Sequence, residues 1–316
     1  MTRAILEPGS VKLADKRTLG FSATGPSDGF PVIYMHGAIG SPLRVSDDLA
    51  ATIDEAGIRW ICVQRPGFGL SDPKRDRTMA SFGSDLRELA QQLELERVAI
   101  LGVSAGGPYT LACGAAAPDV VGAVAVCSSL SPLCPQWEVP EMPFHLKHGL
   151  RLLARHPRGC TWALDRLVSF ARRHPGLLLA VMRRGAPAPS DRELLQNAEA
   201  GSTAVNGFLA AAGGGVAGLI DDFLICSRGW GFDLGDVRVP VHLWHGLQDR
   251  LVPSEHAWQL ASSLPHCRAS FDPDEGHFFF RRRVSEIVTR LVEAARRPPR
   301  GSWKTPVQHS PGPRRP

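Results

Sequence analysis

The sequence predicts an α/β fold in which a mostly parallel β-sheet is covered by helices on both faces. Three observations predict it. Short apolar runs that end at glycine or turn residues alternate with amphipathic helical patterns. These runs are continuously apolar, which is typical of strands that are buried on both faces. Residues 132–235 show several helical patterns and no convincing strand, so a helical insertion interrupts the sheet.

The chain opens with two predicted strands, residues 11–23 and 31–36, and the second ends at Gly37 in the run PVIYMHG. An apolar segment before His277 predicts the last strand. The other elements alternate along the chain: helices at 41–57, 81–95 and 281–295, and strands at 58–64, 97–102, 120–127 and 239–246.

These elements divide the chain into a core of residues 1–131 and 236–295, a helical insertion of residues 132–235, and a tail of residues 296–316. The net charge of +5 comes from the tail. The tail holds six basic side chains and no acidic one, so the remaining residues carry a net charge of −1. A basic, Pro-rich tail cannot bury a core and is predicted to be disordered. The charge of the core therefore does not indicate nucleic-acid binding, and no nucleic acid is expected as a partner.

Several function classes are excluded at this stage. No uncharged apolar stretch of about 18 residues or more is present, so no membrane contact is predicted. The amino terminus lacks the apolar segment of a secretory signal. The seven cysteines form no C-x-x-C pair and are interpreted as buried thiols of a reducing compartment, so the predicted location is cytoplasmic. No metal cluster, phosphate-binding loop or dinucleotide motif is visible, and no cofactor or metal is expected.

The segment AILGVSAGGPYTLACG, residues 99–114, places one hydroxyl between glycines where an apolar strand meets an Ala-rich helix. Residues 102–106 form the pattern G-x-S-x-G. Its glycines allow close backbone approach, and its serine occupies a strained turn that lifts the hydroxyl clear of the sheet. The helix amino terminus favours the negative charge of an acyl-transfer intermediate. Ser104 is therefore the predicted nucleophile, with a Gly-rich packing turn as the structural alternative.

A serine nucleophile needs a base, and the base needs an orienting carboxylate. His277 follows the last predicted strand in DEGHFFF, and Asp249 follows the strand before it in LWHGLQDRLVP. Both positions are at the carboxyl ends of strands, where sites of this fold class form. Four other acids are less suitable because they lie in the insertion or on a different loop: Asp221, Asp222, Asp272 and Asp274. His36, His242 and His245 are predicted to be structural, and the histidines of the insertion are predicted to face solvent.

The negative charge of the intermediate needs two N–H donors. One is expected from the backbone of Ala105, directly after the nucleophile. The other is expected from the loop HGAIGS that follows the strand ending near residue 36, with Ala38 as the first choice and Ile39 as the second.

The segments MHGAIGSPLR, QRPGFGLSDP, LGVSAGGPYTLAC, LWHGLQDRLVP and EGH, in this order, resemble the α/β-hydrolase superfamily over about residues 10–295. The resemblance implies an eight-stranded, mainly parallel sheet with a helical cap between the sixth and seventh strands. Gln64 departs from the Asp that relatives often show before RPG, which puts the anchoring of that loop in doubt. Ser104 argues against relatives that use Asp as nucleophile, and GVSAGG favours neither proline iminopeptidases nor C–C bond hydrolases. The chain is most similar to capped, esterase-like hydrolases.

The predicted substrate is a small, fairly apolar ester or lactone. The insertion is rich in aromatic residues, some of which belong to its core while a few line the pocket. The residues predicted to line the pocket are Trp137, Phe144, Trp230 and Phe278. The run of arginines at 281–283 is interpreted as a solvated helix face rather than an anion clamp. Gly213, Gly214 and Gly215 are interpreted as a hinge or turn.

Other functions stay open. The same triad serves amide hydrolysis, C–C bond cleavage and cofactor-free perhydrolysis. A non-enzymatic receptor that uses the capped pocket for binding, and nucleic-acid binding through the tail, are further alternatives. The oligomeric state is not predicted.

Overall fold

A computed structural model describes residues 6–38, 45–132, 148–149, 152–153, 155–186, 188–213, 215–226 and 228–297. Eight strands of these residues form one sheet. In chain order they are β1 (Glu7–Lys12), β2 (Thr18–Thr24), β3 (Phe30–Met35), β4 (Ile58–Val63), β5 (Val98–Val103), β6 (Val121–Cys127), β7 (Val241–Gly246) and β8 (Cys267–Asp272).

The strand order across the sheet is β1-β2-β4-β3-β5-β6-β7-β8. β2 pairs antiparallel with β1 and β4, and all other neighbours pair in parallel. Parallel strands place their carboxyl ends at the same edge of the sheet. The loops after β3, β5, β6, β7 and β8 therefore converge at that edge. The prediction of an eight-stranded, mostly parallel sheet is confirmed.

The helices cover both faces. In chain order they are α1 (Asp47–Glu55), α2 (Met79–Gln92), α3 (Gly106–Ala116), α4 (Pro157–Arg173), α5 (Pro175–Gly185), α6 (Pro189–Gln196), α7 (Ala198–Ala211), α8 (Ala217–Cys226), α9 (Ser254–Ser263) and α10 (Phe280–Arg296). One hydrophobic cluster joins α2, α3 and α9 to one face of the sheet. A second cluster joins α1 and α10 to the other face. This two-sided cover explains why β6, between them, is buried at every residue.

The first predicted strand is wrong in its extent. Residues 11–23 belong to two antiparallel strands, β1 and β2, joined by a tight turn. In the turn, the N–H of Leu13 donates to the carbonyl of Arg17 at 2.8 Å, and the N–H of Lys16 donates to the carbonyl of Leu13 at 2.8 Å. Lys16 adopts a φ of 70°, which a continuous strand does not contain. The charged residues between the apolar positions form this turn.

Helices α4 to α8 all lie between β6 and β7, and the described part of residues 132–235 contains no strand. These helices have a small hydrophobic cluster of their own, formed by Leu153, Val168, Ala212, Val216 and Ile220. Gly213 and Gly215 lie in the turn between α7 and α8. The division into core and insertion agrees with this arrangement and stays a prediction as a domain boundary.

Some predictions concern other residues of the chain. The tail after Arg297, and Cys134, lie outside the described residues. The six described cysteines are free thiols, and four of them are buried. Among the described helices, none combines the length and the apolar character that spanning a membrane requires.

Candidate active site

Ser104 lies in the turn between β5 and α3. Its φ is 54°, in the left-handed region that non-glycine residues rarely adopt. The turn is fixed on both sides, because the Ser104 N–H donates to the carbonyl of Cys127 at 2.9 Å and the Ser104 carbonyl accepts from the N–H of Gly107 at 2.9 Å. The side chain is half-buried at the carboxyl edge of the sheet. This is the backbone geometry of a nucleophile elbow.

The structure explains why Gly106, the last position of the G-x-S-x-G pattern, is a glycine. A Cβ at this position would overlap the backbone carbonyl of Met35 and would lie 2.7 Å from the carbonyl oxygen of His36. The absence of a side chain lets α3 start directly against the end of β3. The helix amino terminus, with its N–H groups that have no intrahelical partner, is thereby brought to the loop that follows β3.

His277 and Asp249 meet at the same edge. His277 Nδ1 lies 2.7 Å from Asp249 Oδ2, and both residues are buried. The other carboxylate oxygen of Asp249 accepts the N–H groups of Leu251 and Val252, each at 2.9 Å. His245 Nε2 lies 3.7 Å from Asp249 Oδ2 and contacts the Val252 carbonyl at 2.9 Å instead. Asp249 therefore fixes one ring nitrogen of His277 and leaves Nε2 for chemistry.

Burial and charge act in opposite directions on this pair. Burial lowers the pKa of His277, but the charge of Asp249, the hydrogen bond to it and the charge of Asp191 outweigh burial, so the pKa is raised above its usual value. Burial raises the pKa of Asp249, but the charge of His277 and their hydrogen bond outweigh it, so that pKa is lowered. The pair thus stabilises a carboxylate beside an imidazolium.

The loop after β3 lies against the nucleophile. A Cβ at Gly37 would be 3.4 Å from the Cβ of Ser104. Ala38, the predicted oxyanion donor, is the next residue and is buried. His36 is a structural residue, since its ring is buried, contacts the Gly37 carbonyl at 2.8 Å and packs edge-on against Phe68.

Arg65 binds the start of the loop that follows β3. Its guanidinium donates to the carbonyl of His36 in a very short contact and to that of Gly37 at 3.3 Å. The side chain is fully buried and lies 5.1 Å from the ring centres of both Phe68 and Tyr109. Because these two carbonyls point toward Arg65, the backbone at the start of the loop has a fixed orientation.

The charge of Arg65 is balanced by Asp222 of helix α8, in the insertion. Asp222 is fully buried, and its Oδ2 accepts from Arg65 at 2.8 Å. Its Oδ1 accepts from Arg77 and from the Tyr109 hydroxyl, each at 2.8 Å. Arg77 also donates to the carbonyls of Pro66 and Gly218. This cluster joins the insertion to the loop beside Ser104.

The predicted pocket residues have mixed outcomes. Trp137 and Phe144 lie outside the described residues, as does Ile39, the second choice for the oxyanion donor. Trp230 is buried in the core cluster and stacks on Phe232, with ring centres 5.9 Å apart. Phe278 is half-buried, and its ring meets that of His277 edge-on at 5.4 Å. Of the four, Phe278 is the residue that the structure places beside the candidate base.

The remaining histidines and acids are accounted for by their positions. His242 and His245 are buried, and burial lowers the pKa of each. His156 and His174 are exposed, as predicted for the insertion. Asp221 lies beside Asp222 in α8 without a place in the ionic cluster. Asp272 is the last residue of β8 and accepts from Arg283 at 3.1 Å, and Asp274 lies in the segment between β8 and His277.

Two sequence-based interpretations are resolved by hydrogen bonds. Gln64 anchors its loop despite the departure from the common Asp, since its side-chain oxygen accepts the N–H of Leu70 at 2.7 Å. Arg282 and Arg283 form ion pairs with Glu275 and Glu286, at 2.7 and 2.8 Å. Arg282 and Arg283 therefore belong to a charged helix face, as predicted. The prediction is wrong for Arg281, because burial lowers the pKa of its guanidinium.

Sequence reasoning missed the residues that support the site. Arg65 lies within a motif that the sequence analysis quoted, but nothing in the motif indicates which carbonyls it binds. The sequence could have indicated a buried ion pair at Asp222, because an acid in the apolar helical run AGLIDDFLIC needs a partner if it is buried. Ser190 and Asp191 had no signal, since PSDRE reads as an ordinary helix start.

No group of three or more His, Cys, Asp or Glu side chains in the described segments is arranged to hold a metal ion. The geometry is instead that of a serine, a histidine and a carboxylate at one sheet edge, in the chain order Ser104, Asp249, His277.

Comparison with known proteins agrees with this geometry. The family model described as the alpha/beta hydrolase fold matches residues 31–281, and the chain belongs to that family. A proline iminopeptidase of Xanthomonas citri is 25% identical over 312 residues, covering 91% of this chain and 95% of the relative.

Two solved structures show the same fold. A thermophilic esterase from Thermogutta terrifontis has a TM-score of 0.62 at 20% identity and covers 93% of this chain and 99% of its own. Est816, described as an N-acyl homoserine lactone degrading enzyme, has a TM-score of 0.62 at 17% identity and covers 90% and 99%. The prediction of the hydrolase fold is confirmed.

Proposed function

We propose that this protein is a serine hydrolase that cleaves a small, fairly apolar carboxylic ester or lactone through an acyl-enzyme on Ser104. One observation carries the proposal. The strained turn at Ser104 lies at the sheet edge where His277 Nδ1 is held 2.7 Å from a buried carboxylate oxygen of Asp249. A base whose Nδ1 is held by a carboxylate, at the same sheet edge as a strained serine, is the arrangement that acyl transfer requires.

The chemistry proceeds in two matched steps. His277 Nε2 takes the Ser104 hydroxyl proton as Oγ bonds to the acyl carbon, and the carbonyl electrons move onto oxygen. The tetrahedral intermediate collapses, the alcohol leaves with the proton from His277, and Ser104 keeps the acyl group. Water then attacks the acyl carbon and gives a proton to His277. The bond between the acyl carbon and Ser104 Oγ breaks, His277 returns the proton to Oγ, and the carboxylic acid leaves.

Two backbone N–H groups are assigned to the oxyanion. Ala105 precedes α3, so its N–H belongs to a helix amino terminus that favours negative charge. Ala38 follows Gly37, which lies against Ser104. Losing one donor of this kind costs roughly 10²–10³ in rate. A side-chain substitution at Ala38 or Ala105 leaves these backbone N–H groups in place. The assignment of the two donors is therefore tested by changing a residue that orients the loop that carries Ala38.

An apolar substrate is supported by Phe278, whose ring contacts His277 at 5.4 Å. The two similar structures are described as an esterase and as an enzyme that degrades an acylated lactone. An ester and a lactone share the acyl carbon and differ only in whether the leaving alcohol stays attached.

Peptide hydrolysis is the second candidate, because the Xanthomonas citri relative is described as a proline iminopeptidase. A substrate with a free amino terminus needs an anionic group to bind the ammonium. The buried acids nearest to His277 do not serve this purpose, since Asp249 binds His277 and two amides while Asp191 binds two amides. The ester therefore remains the preferred substrate class.

Hydrolysis of p-nitrophenyl esters from acetate to laurate tests the proposal, with proline p-nitroanilide for the second candidate. We expect turnover by the parent, none by Ser104→Ala, and unchanged turnover by Ser84→Ala, which alters an exposed serine of α2. Labelling by a fluorophosphonate gives an independent readout of the nucleophile. Absence of both turnover and labelling in the parent would overturn the proposal and favour a receptor.

The pH profile gives a second test. Only the neutral form of His277 accepts the Ser104 proton, so kcat/KM rises as pH increases through the pKa of His277. Because that pKa is raised, the midpoint is expected above the usual histidine value of 6.5. A midpoint well below that value would contradict the assignment of His277 as the base.

A further inference from the structure

The loop that carries His277 is bound by two consecutive residues of the insertion. The N–H of Gly276 donates to Ser190 Oγ at 2.9 Å. The N–H of His277 donates to Asp191 Oδ2 at 2.9 Å, and the N–H of Phe278 donates to Asp191 Oδ1 at 2.8 Å. Three successive amides of the core thus have their acceptors in the first turn of α6.

The contact is close and closed to water. Asp191 has no exposed surface, and a Cβ at Gly276 would overlap its carboxylate. The glycine before His277 therefore lets the carboxylate reach the backbone. Arg282 adds a link at the rim, donating to the Ser190 carbonyl at 3.2 Å and to Glu275 at 2.7 Å.

We propose that Asp191 is a positioning residue for the catalytic base, which fixes the backbone of His277 from the insertion while Asp249 fixes its ring. The proposal rests on the proposed serine hydrolase function. It makes the insertion a required part of the active site, and not only a cover over it.

Contacts to the backbone and contacts to the ring together orient the imidazole of His277. The ring direction depends on the backbone at residue 277 and on the side-chain torsions. From the core, the hydroxyl of Ser128 contacts the His277 carbonyl at 3.1 Å, and Asp249 contacts Nδ1 at 2.7 Å. The N–H groups of residues 276–278 have their acceptors on α6. Without Asp191, two buried N–H groups lose their acceptor, and the loop shifts to find another.

The charge of Asp191 also acts on the base. Burial raises the pKa of Asp191, and although the two amides and the charge of His277 oppose burial, the pKa stays raised. In its ionised form, Asp191 helps to raise the pKa of His277, together with Asp249. The charge of Asp249 also raises the pKa of Asp191. Arg282 interacts with Asp191, and with Glu275 and Glu193. His245 is the remaining titratable group that interacts with His277, and burial lowers the pKa of His245.

Three variants test the proposal. Asp191→Asn keeps the shape but turns an amide NH₂ toward one of the two N–H groups. Ser190→Ala removes only the bond to Gly276 and serves as the milder variant. Glu193→Gln is the matched control, because it removes a charge from an exposed position of the same helix.

With the ester that the parent cleaves fastest, we expect Asp191→Asn to lower kcat by about 10- to 100-fold, since a misplaced catalytic group costs up to roughly that factor. KM should stay within about two-fold, because the substrate contacts are intact. The acid limb of kcat/KM should move to lower pH. Ser190→Ala should show a smaller loss of kcat, and Glu193→Gln should match the parent.

Amide hydrogen exchange of peptides that span residues 276–278 gives a readout besides activity. Exchange should be faster in Asp191→Asn than in the parent and the control. Unchanged exchange, or an unchanged kcat and acid limb, would overturn the proposal while the parent still labels with fluorophosphonate. If the parent neither labels nor turns over, the proposed function itself has failed, and with it the role of Asp191 in catalysis.

Discussion

Two buried carboxylates of the insertion, Asp191 and Asp222, contact two different parts of the candidate active site. Asp222 meets two guanidinium groups and a phenol hydroxyl beneath the loop that carries Ala38. Asp191 meets two amide N–H groups of the loop that carries His277. Both side chains are fully buried, so water screens neither.

The difference shows what each acid does. Asp222 neutralises cations, and its loss would leave the charges of Arg65 and Arg77 buried without a counter-charge. Asp191 accepts hydrogen bonds from two uncharged amides. Its loss would leave these two N–H groups without an acceptor but would not leave a buried cation without a counter-charge. We therefore expect Asp222 to control stability and Asp191 to control the geometry of the base.

Replacing Asp222 tests the first half of the comparison. Asp222→Ala should lower the free energy of unfolding by about 3–5 kcal/mol, because it removes one partner of a buried ionic cluster. Urea denaturation of the parent and the variant measures this value. A loss below about 1 kcal/mol, the value typical of an exposed ion pair, would break the distinction between the two acids.

Replacing Arg65 tests whether the cluster also orients the oxyanion loop. Arg65→Lys keeps the positive charge, but an ammonium cannot reproduce the planar contacts to Asp222, His36 and Gly37 together. We expect kcat for an ester to fall by about 10- to 100-fold. This is less than the roughly 10²–10³ for a lost oxyanion donor, because the donor is misdirected and not removed. Equal kcat in Arg65→Lys and the parent, measured at a temperature where both are folded, would limit Arg65 to a structural role.

The pH dependence of stability tests Asp191. Because its folded-state pKa is raised above 3.8, the carboxyl favours the folded state most at acid pH, and that contribution is lost as pH rises through the raised pKa. The stability of the parent relative to Asp191→Asn should therefore decline from acid to neutral pH. Urea denaturation across this range measures the decline. An increase over the same range would mean that the pKa of Asp191 is lowered in the fold.

Much of the fold was predictable because buried strands and helices have apolar patterns that can be recognised within a few neighbouring residues. The parallel strands β3 to β7 are continuous apolar runs, and the helices have one apolar face, so both were identified close to their observed positions. The prediction for residues 11–23 is wrong for a local reason, since one predicted strand covers two short strands and their charged turn. The nucleophile turn was predictable for a similar reason, because Gly102 and Gly106 mark the close approach of a strand and a helix.

The candidate site was predictable as far as it follows from strand order. Ser104, Asp249 and His277 each follow a strand whose carboxyl end lies at one sheet edge, and the structure brings Asp249 and His277 to 2.7 Å. The roles proposed for Ala38 and Ala105 belong to the backbone, so the identity of their side chains carries little signal.

What the sequence by itself determined is the set of elements that short-range patterns encode: the parallel sheet, the helical insertion, the elbow at Ser104, and the order of the base and its acid. Only the tertiary structure decided that Asp222 reaches Arg65 across 157 positions and that Asp191 reaches His277 across 86. Residues so far apart share no periodicity. Their pairing depends on how the insertion packs on the core, where burial makes each carboxylate bind whatever donors the fold brings to it.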